Sequence, residues 1–462
     1  MDEPRPNPAS KDDRLTRDFR VGLPARDAAV SLLDTVLTRG QSFDAVFGAQ
    51  TRHGRLATLA QRDKALTRAI AATTLRRLGQ IDALLALFIE RAPPKSSGPL
   101  TAILRAALAQ ILFMGTPVHA VVNLAVHQTK ADRRAKHFDK LVNAVLRRAA
   151  REGPELVAGQ DAARLNTPDW LWRRWCTHFG EETTHAIAQA HLSEAALDLS
   201  VKSDAAGWAE RLGGMMLPTG SVRLAHKGRI ESLAGYDEGD WWVQDAAAAL
   251  PALLLGDVAG KSVADLCAAP GGKTAQLASR GARVTALDIS ENRIKWLKGN
   301  LKRLQLDVRC LTADAAQWRP DERFDAVLLD APCLATGTIR RHPDIPHLKR
   351  PADLDNLTAL QARLLKNAAS LVKPGGAIVY CTCSLEPEEC EAQIERIVAD
   401  APGVQIEPIA AGEIADQAAW LTDRGALRTL PHYLSGLGAE LDGIDGFYAA
   451  RLRVGEVSSI SP

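Results

Sequence analysis

After residue 240 the chain changes rhythm. Seven short apolar runs, "SVADLCA", "RVTALDI", "LDVRCLTA", "FDAVLLDAP", "GAIVYCTCS", "GVQIEPIA" and "FYAARLRV", recur with helical stretches between most of them. A strand that is apolar at nearly every residue is covered on both faces, which is the condition of a strand inside a parallel sheet. Alternation of such strands with helices predicts a doubly wound α/β domain, placed here at 236–455.

The preceding chain reads differently. Between 23 and 150 the apolar spacing is helical. "ARDAAVSLLDTVLTRG" sets Ala28, Val30, Leu32, Leu33, Val36 and Leu37 on helical intervals, and Gly40 closes it. "LTAILRAALAQILFMG" and "KHFDKLVNAVLRRAA" continue in kind, so this part is expected to be an all-α bundle. Residues 151–235 mix a tryptophan-rich helix, "PDWLWRRWCTHFG", with short β-like runs, "LDLSVK" and "SVRLA", and predict a small α+β connector. The polar ends, 1–22 and 456–462, are expected to be tails.

Charge is unevenly spread. The chain has a net charge of +2, yet residues 51–150 hold 17 Lys and Arg against 5 Asp and Glu. A basic block of this kind meets nucleic acid or is simply a solvated Arg-rich surface; charge alone does not choose. Seven cysteines are an odd and sparse set that does not suit a disulfide framework. The N-terminal "MDEPRPNPASKDDRL" lacks a secretory apolar core, and no apolar run reaches the ~18 residues of a membrane span. The expectation is a cytoplasmic, reduced, monomeric protein without a membrane partner.

The run "VADLCAAPGGKT" (263–274) ends one strand and opens a helix. Gly272, Lys273 and Thr274 fit the tail of a phosphate loop, but its first glycine position is Cys267, so that motif fails. G-x-G-x-x-G fails as well. What remains is a turn at Gly271–Gly272 on the carboxyl end of a strand, where open α/β sheets bind ligands. Asp288 ends the next strand, where an acid holds ribose hydroxyls, and Asp314 follows the third, within reach of an adenine edge. This order describes a nucleoside cofactor without a pyrophosphate, which S-adenosyl-L-methionine satisfies.

Asp330, Ala331, Pro332 and Cys333 close the fourth strand, and Cys381, Thr382 and Cys383 the fifth. If these strands are neighbours, ~4.8 Å apart, Cys333 and Cys383 open on one crevice. Zinc binding is the competing reading of these cysteines. Cys381 and Cys383, read as pointing to opposite faces of the strand, cannot share an ion, and no metal is expected. Cys390 and Cys381 are expected to be packed. Two thiols beside a methyl-donor turn suit methylation of a pyrimidine ring carbon, in which one thiolate adds at carbon 6 and activates carbon 5. Asp330 is placed to hydrogen-bond ring nitrogen 3. Exocyclic-amine methylation uses D/N-P-P-aromatic at this point, whereas "DAPC" ends in cysteine.

Together "DLCAAPGGKT", "DAPC…TGTIRRHPDI", "YCTCSLEPEE" and "DGFYAARL" resemble the RsmB/Sun group of RNA 5-methylcytosine methyltransferases. The resemblance implies a Rossmann-like seven-stranded S-adenosyl-L-methionine-dependent methyltransferase domain. It makes Cys383 the nucleophile, Cys333 the residue that assists product release, and Lys273 a residue that orients the base alongside Asp330. It assigns Cys267, Ala268, Ala269, Pro270, Gly271, Gly272, Lys273, Asp288, Asp314 and Asp330 to the cofactor. "LRAALAQILFMGTPVHAVVNLAV" and "FDKLVNAVLRR" resemble the NusB-like RNA-binding domain, which implies 16S rRNA as partner. A tRNA or a different rRNA cytosine is the alternative target, and a non-catalytic NusB-like assembly factor the alternative class. The chain departs from the group at Leu334-Ala335-Thr336, where Ser commonly follows D-A-P-C, and Leu334 is expected to reshape the wall near the base.

Overall fold

The computed structural model describes residues 22–225 and 228–455. The tails expected at 1–22 and 456–462 lie, apart from Gly22, outside these residues. The chain divides into two compact units.

The first unit runs to Trp172 and also takes in His342–Leu348. Its main helices are α1 (Leu23–Arg39), α2 (Phe43–His53), α3 (Gln61–Arg76), α4 (Leu78–Phe88), α5 (Leu100–Phe113), α6 (Val118–Ala131) and α7 (Asp139–Ala158). Helix α1 starts with proline in its first turn and stops at Gly40, whose φ of 65° is left-handed and whose N–H reaches the Val36 carbonyl at 3.2 Å. Ala29, Leu32, Leu33 and Val36 enter the core with Ile70, Ile81, Leu104, Leu108, Val142 and Leu146. The boundary expected at 150 falls inside α7, which continues through Pro154 to Ala158. Its Gly153 lies against Leu112, where an added Cβ would approach Cδ2 to 2.7 Å. The segment 342–348 is joined to this unit by polar contacts: Phe43 N–H donates to Asp344 Oδ2 (2.8 Å), and His342 Nδ1 lies 2.9 Å from Asp44 Oδ2.

Among the described residues, the second unit comprises 173–341 and 349–455. After helical residues that include Glu181–Ala190, it forms an antiparallel four-stranded sheet of β1 (Leu197–Val201), β2 (Met215–Met216), β3 (Val222–Leu224) and β4 (Trp241–Val243), in the order β2-β3-β1-β4. Leu199, Trp208, Val222, Leu224 and Trp241 form its core. Strand β4 lies beyond residue 235, so the expected connector extends further than its sequence boundary.

The main sheet contains β5 (Ser262–Leu266), β6 (Arg283–Asp288), β7 (Arg309–Thr312), β8 (Phe324–Asp330), β9 (Val372–Thr382), β10 (Val404–Ile406), β11 (Leu427–Thr429) and β12 (Phe447–Val454). Seven strands follow the order β10-β12-β9-β8-β5-β6-β7, and the short β11 pairs with β12. All seven expected runs form strands. The parallel expectation needs a correction, because β12 is antiparallel to β9, β10 and β11. A parallel neighbour needs a crossover connection, and among the described residues no helix lies between β11 and the β12 strand that pairs with it.

Between the strands, α8 (Ala246–Leu253), α9 (Gly272–Ser279), α10 (Glu291–Arg303), α11 (Pro351–Leu371) and α12 (Glu391–Asp400) build the two covering layers. Alternate residues go to opposite cores: Val263, Ala286, Leu328 and Val379 to one, Ala264, Leu287, Val327 and Ile378 to the other. The order reverses at β5, which has β6 on one side and β8 on the other. This switch point opens a crevice at the carboxyl ends of the strands.

A buried charge network ties the small sheet to the C-terminal loop. Arg223 is paired with Asp198 through two 2.7 Å contacts and donates to the carbonyls of Leu441 and Gly443. Arg341 bridges Asp245 at 2.5 Å and Asp445 at 3.0 Å. Removing one partner leaves a buried charge uncompensated. Asp198→Ala is therefore expected to destabilise the protein by ~3–5 kcal/mol, read as a lower urea midpoint of the second unit.

Candidate active site at the ends of β5, β8 and β9

Strand β5 delivers the turn. Cys267 takes a left-handed φ of 63°, and Gly271 one of 108°. A Cβ on Gly271 would come within 2.2 Å of Leu297 Cδ1, so the turn can approach α10 only with glycine there. Ala268 N–H is held by the Leu287 carbonyl at 2.8 Å. Asp265, the acid of "ADL", accepts from Thr274 Oγ1 at 2.5 Å, while its other oxygen is buried without a partner. Burial pushes its carboxyl up to about 7. Burial also pushes the Cys267 thiol up to about 12, with Asp330 adding to the shift.

Asp288 ends β6. It accepts from Ala269 N–H at 3.3 Å and Ser290 N–H at 3.0 Å, and pairs with Arg293 at 3.2 Å. The next residue, Ile289, is 72% exposed, an apolar side chain left open beside Asp288. Asp314 closes its own turn by accepting from Ala316 N–H and Gln317 Nε2, each at 2.9 Å.

The pairing of β8 with β9 puts Asp330 opposite Cys381. Lys273 Nζ lies 2.8 Å from Asp330 Oδ2 and 4.7 Å from the centre of the Phe447 ring. Burial opposes the Lys273 charge, but Asp330 and the neighbouring thiols outweigh it and raise its pKa. Cys333 and Cys383 bring their sulfurs to 3.5 Å. Cys381 Sγ is 3.6 Å from Asp330 Oδ1. The reading that Cys381 and Cys383 face opposite ways is corrected: both pack with the same core, because residues two apart on a strand share a face. No group of three or more His, Cys, Asp or Glu able to hold a metal is present among the described residues. The Cys333 thiol is raised well above its ordinary value, first by its hydrogen bond with Cys383 and then by burial. Cys390 is packed, as expected, with Thr382 Oγ1 at 3.3 Å from its sulfur.

Other residues hold these groups in place and were not singled out from the sequence. Gly337 N–H donates to the Cys383 carbonyl at 2.9 Å, and Gly446 N–H, from "DGFY", donates to the Gly337 carbonyl at 2.8 Å. Buried Glu389 accepts Leu334 N–H at 3.0 and 3.1 Å and Gln361 Nε2 at 3.0 Å. It ties the residue after Cys333 to the segment after Cys383. The signal was the acidic "EPEE" following T-C-S, which reads as a spacer until its side chains are seen to be inside. Leu334, the departure expected to reshape the wall near the base, is fully buried.

A Cβ on Gly337 would lie 1.9 Å from the Gly446 carbonyl oxygen, a backbone atom that cannot step aside. Gly337→Ala is expected to displace the Cys383 carbonyl and cut methyl transfer at least tenfold, with an overpacking penalty of about 1–3 kcal/mol. Paired activity and thermal-melting measurements check this.

Comparison with known proteins fits this geometry. Residues 252–453 match the model of the 16S rRNA methyltransferase RsmB/F family, and 23–151 match the NusB family. Curated relatives named ribosomal RNA small subunit methyltransferase B include those of Xanthomonas campestris pv. campestris and Pseudomonas putida. The first is 36% identical, covering 84% of this chain and 91% of its own. The second is 35% identical, covering 92% and 98%. The relative from Cronobacter sakazakii is 32% identical over 92% of this chain and 98% of its own. Among solved structures, the fold is shared with PH0851, at a TM-score of 0.73 and 24% identity over 94% of this chain and 98% of that one. A methyltransferase homologue from Pyrococcus horikoshii matches at 0.53 and 27% identity, covering 64% and 97%. The chain belongs to the RsmB/F family of 16S rRNA methyltransferases.

Proposed function

We propose that this methyltransferase acts on carbon 5 of a cytosine in 16S rRNA through a covalent adduct with Cys383. One observation carries the chemistry: two sulfurs 3.5 Å apart beside the Lys273–Asp330 pair. The names of the relatives support the RNA, and with it a cytoplasmic location. The methyl donor is S-adenosyl-L-methionine, which supplies an electrophilic methyl group on a sulfonium. The residues fit this cofactor. The buried, unpartnered Asp265 oxygen and the exposed Ile289 flank the turn 267–273, and Asp288 offers its carboxylate to the ribose. Cys267 to Lys273, Asp288 and Asp330 are assigned to hold it. Asp314 is assigned to its adenine side.

The protein groups then divide the work on the base. Cys383 is assigned as the sulfur that attacks, and Cys333, 3.5 Å away, as the thiol that stays beside it. The Cys383 thiolate adds to carbon 6 of the cytosine, and nitrogen 3 takes a proton relayed through Asp330 from the Lys273 ammonium, 2.8 Å away. The ring is then an enamine, nucleophilic at carbon 5. Lys273 holds the Asp330 carboxylate in place. In the release step a water molecule takes the carbon 5 proton, and nitrogen 3 returns its proton through Asp330 to Lys273. The electron pair of that C–H bond reforms the ring double bond as the C6–S bond breaks. The Cys333 S–H hydrogen-bonds the departing Cys383 sulfur. The base must be unpaired or extruded to reach the sulfurs. The basic helical unit supplies phosphate contacts, whose affinity falls as salt rises.

Cys383→Ser is expected to abolish methyl transfer from labelled S-adenosyl-L-methionine while leaving cofactor affinity within about twofold; undiminished turnover refutes the assignment. Cys333→Ser is expected to accumulate a protein–RNA adduct that survives denaturing electrophoresis. Free RNA alone in that gel removes Cys333 from the release step.

A further inference from the structure

Helix α10 presents a surface that the catalytic reading does not use. Its Ile294, Leu297 and Leu301 are buried, and the opposite side is open. Trp296 is 67% exposed and is the single aromatic among the large exposed apolar side chains of the described residues. It shares a stripe with Arg293 and Asn300, at i−3 and i+4. Arg293 donates to the Ala269 carbonyl, and Asn300 Nδ2 donates to the Pro270 carbonyl at 3.0 Å. Trp296 therefore sits between two residues that grip the cofactor turn. A second stripe, Lys295, Lys298 and Lys302, runs beside it, all exposed. Lys295 pairs with Glu291 at 2.9 Å; Lys298 and Lys302 have no ion-pair partner among the described residues.

Between the stripes lies Gly299. It is helical and exposed, and a Cβ there would meet nothing within 4 Å. Glycine inside a helix is unfavourable, and here no close neighbour requires it. Its effect is to leave a flat shelf between the indole and the lysine row. An exposed indole beside an open shelf, bordered by unpaired cations, has the composition of a single-strand stacking site, where a base lies on the ring and phosphates meet the lysines. Four exposed cations against one acid favour a polyanion over a protein face.

We propose that Trp296, Gly299, Lys298 and Lys302 form a platform for an unpaired RNA nucleotide flanking the methylated base. The assignment of the flanking base rests on the RNA methyltransferase reading; stacking itself is measured without it. Direct binding of an unstructured RNA oligonucleotide is the test. Trp296→Ala is expected to weaken binding roughly tenfold and to raise the RNA KM with little change in kcat at saturating RNA. Trp296→Phe restores most of the affinity, and Gly299→Leu, which fills the shelf, weakens binding. Lys298→Gln and Lys302→Gln each lower the salt slope by about one. Wild-type affinity in both Trp296→Ala and Gly299→Leu overturns the platform, as does loss of a protein partner with RNA affinity intact. Trp296-dependent RNA binding in a protein that transfers no methyl group supports the platform and counts against the catalytic reading instead.

Discussion

The site depends on the parallel pairing of β8 with β9. That register sets Asp330 opposite Cys381, so the residues just past both strand ends meet over one crevice. Cys333 and Cys383, 50 positions apart in sequence, thereby come to 3.5 Å. A shift of one residue in either strand would turn its functional side chains to the other face. The register is held by the apolar residues that β8 and β9 place in both cores, so packing far below the crevice fixes the sulfur geometry above it.

Past the strand ends, backbone hydrogen bonds take over from the sheet. The Gly446–Gly337–Cys383 chain of amide contacts and the Glu389 carboxylate hold two loops that have no ladder of their own. Glu389 is buried, and burial raises its pKa, yet three donors compensate it: Leu334 N–H, Gln361 and Ser384. Such a group is kept inside only when its hydrogen bonds are met. Lys273 is similar, its buried charge being matched by Asp330. The polar groups of the crevice are thus positioned before any ligand arrives, which is the condition for stabilising developing charge.

Much of this could be read from the sequence for one reason. Strands covered on both faces are apolar at almost every residue, so their ends stand out, and the reactive residues follow those ends. The turn after β5, the acid after β6 and the two cysteines were visible in this way. The reversed direction of β12 was not, because apolar content does not encode strand direction. The Gly337–Gly446 contact joins residues 109 apart with no side chain to mark it. Glu389 carried no mark of burial in the sequence, since burial of a charge is visible only with its partners. The face shared by Cys381 and Cys383 was legible from the two-residue period and was misread. Segment 342–348 groups with the helical unit although it follows the "DAPC" strand, a long-range association carried by single contacts such as Asp344 with Phe43 N–H.

The most direct test of the sulfur assignment uses an RNA substrate carrying 5-fluorocytidine at the methylated position. Fluorine cannot leave carbon 5 as a proton does, so the adduct is held at the stage before release. After incubation with S-adenosyl-L-methionine and proteolysis, mass spectrometry of the RNA-linked peptide locates the bond. Attachment at Cys383 is the expected result. Attachment at Cys333, or methylation of the unmodified substrate with no adduct from the fluorinated one, would contradict it.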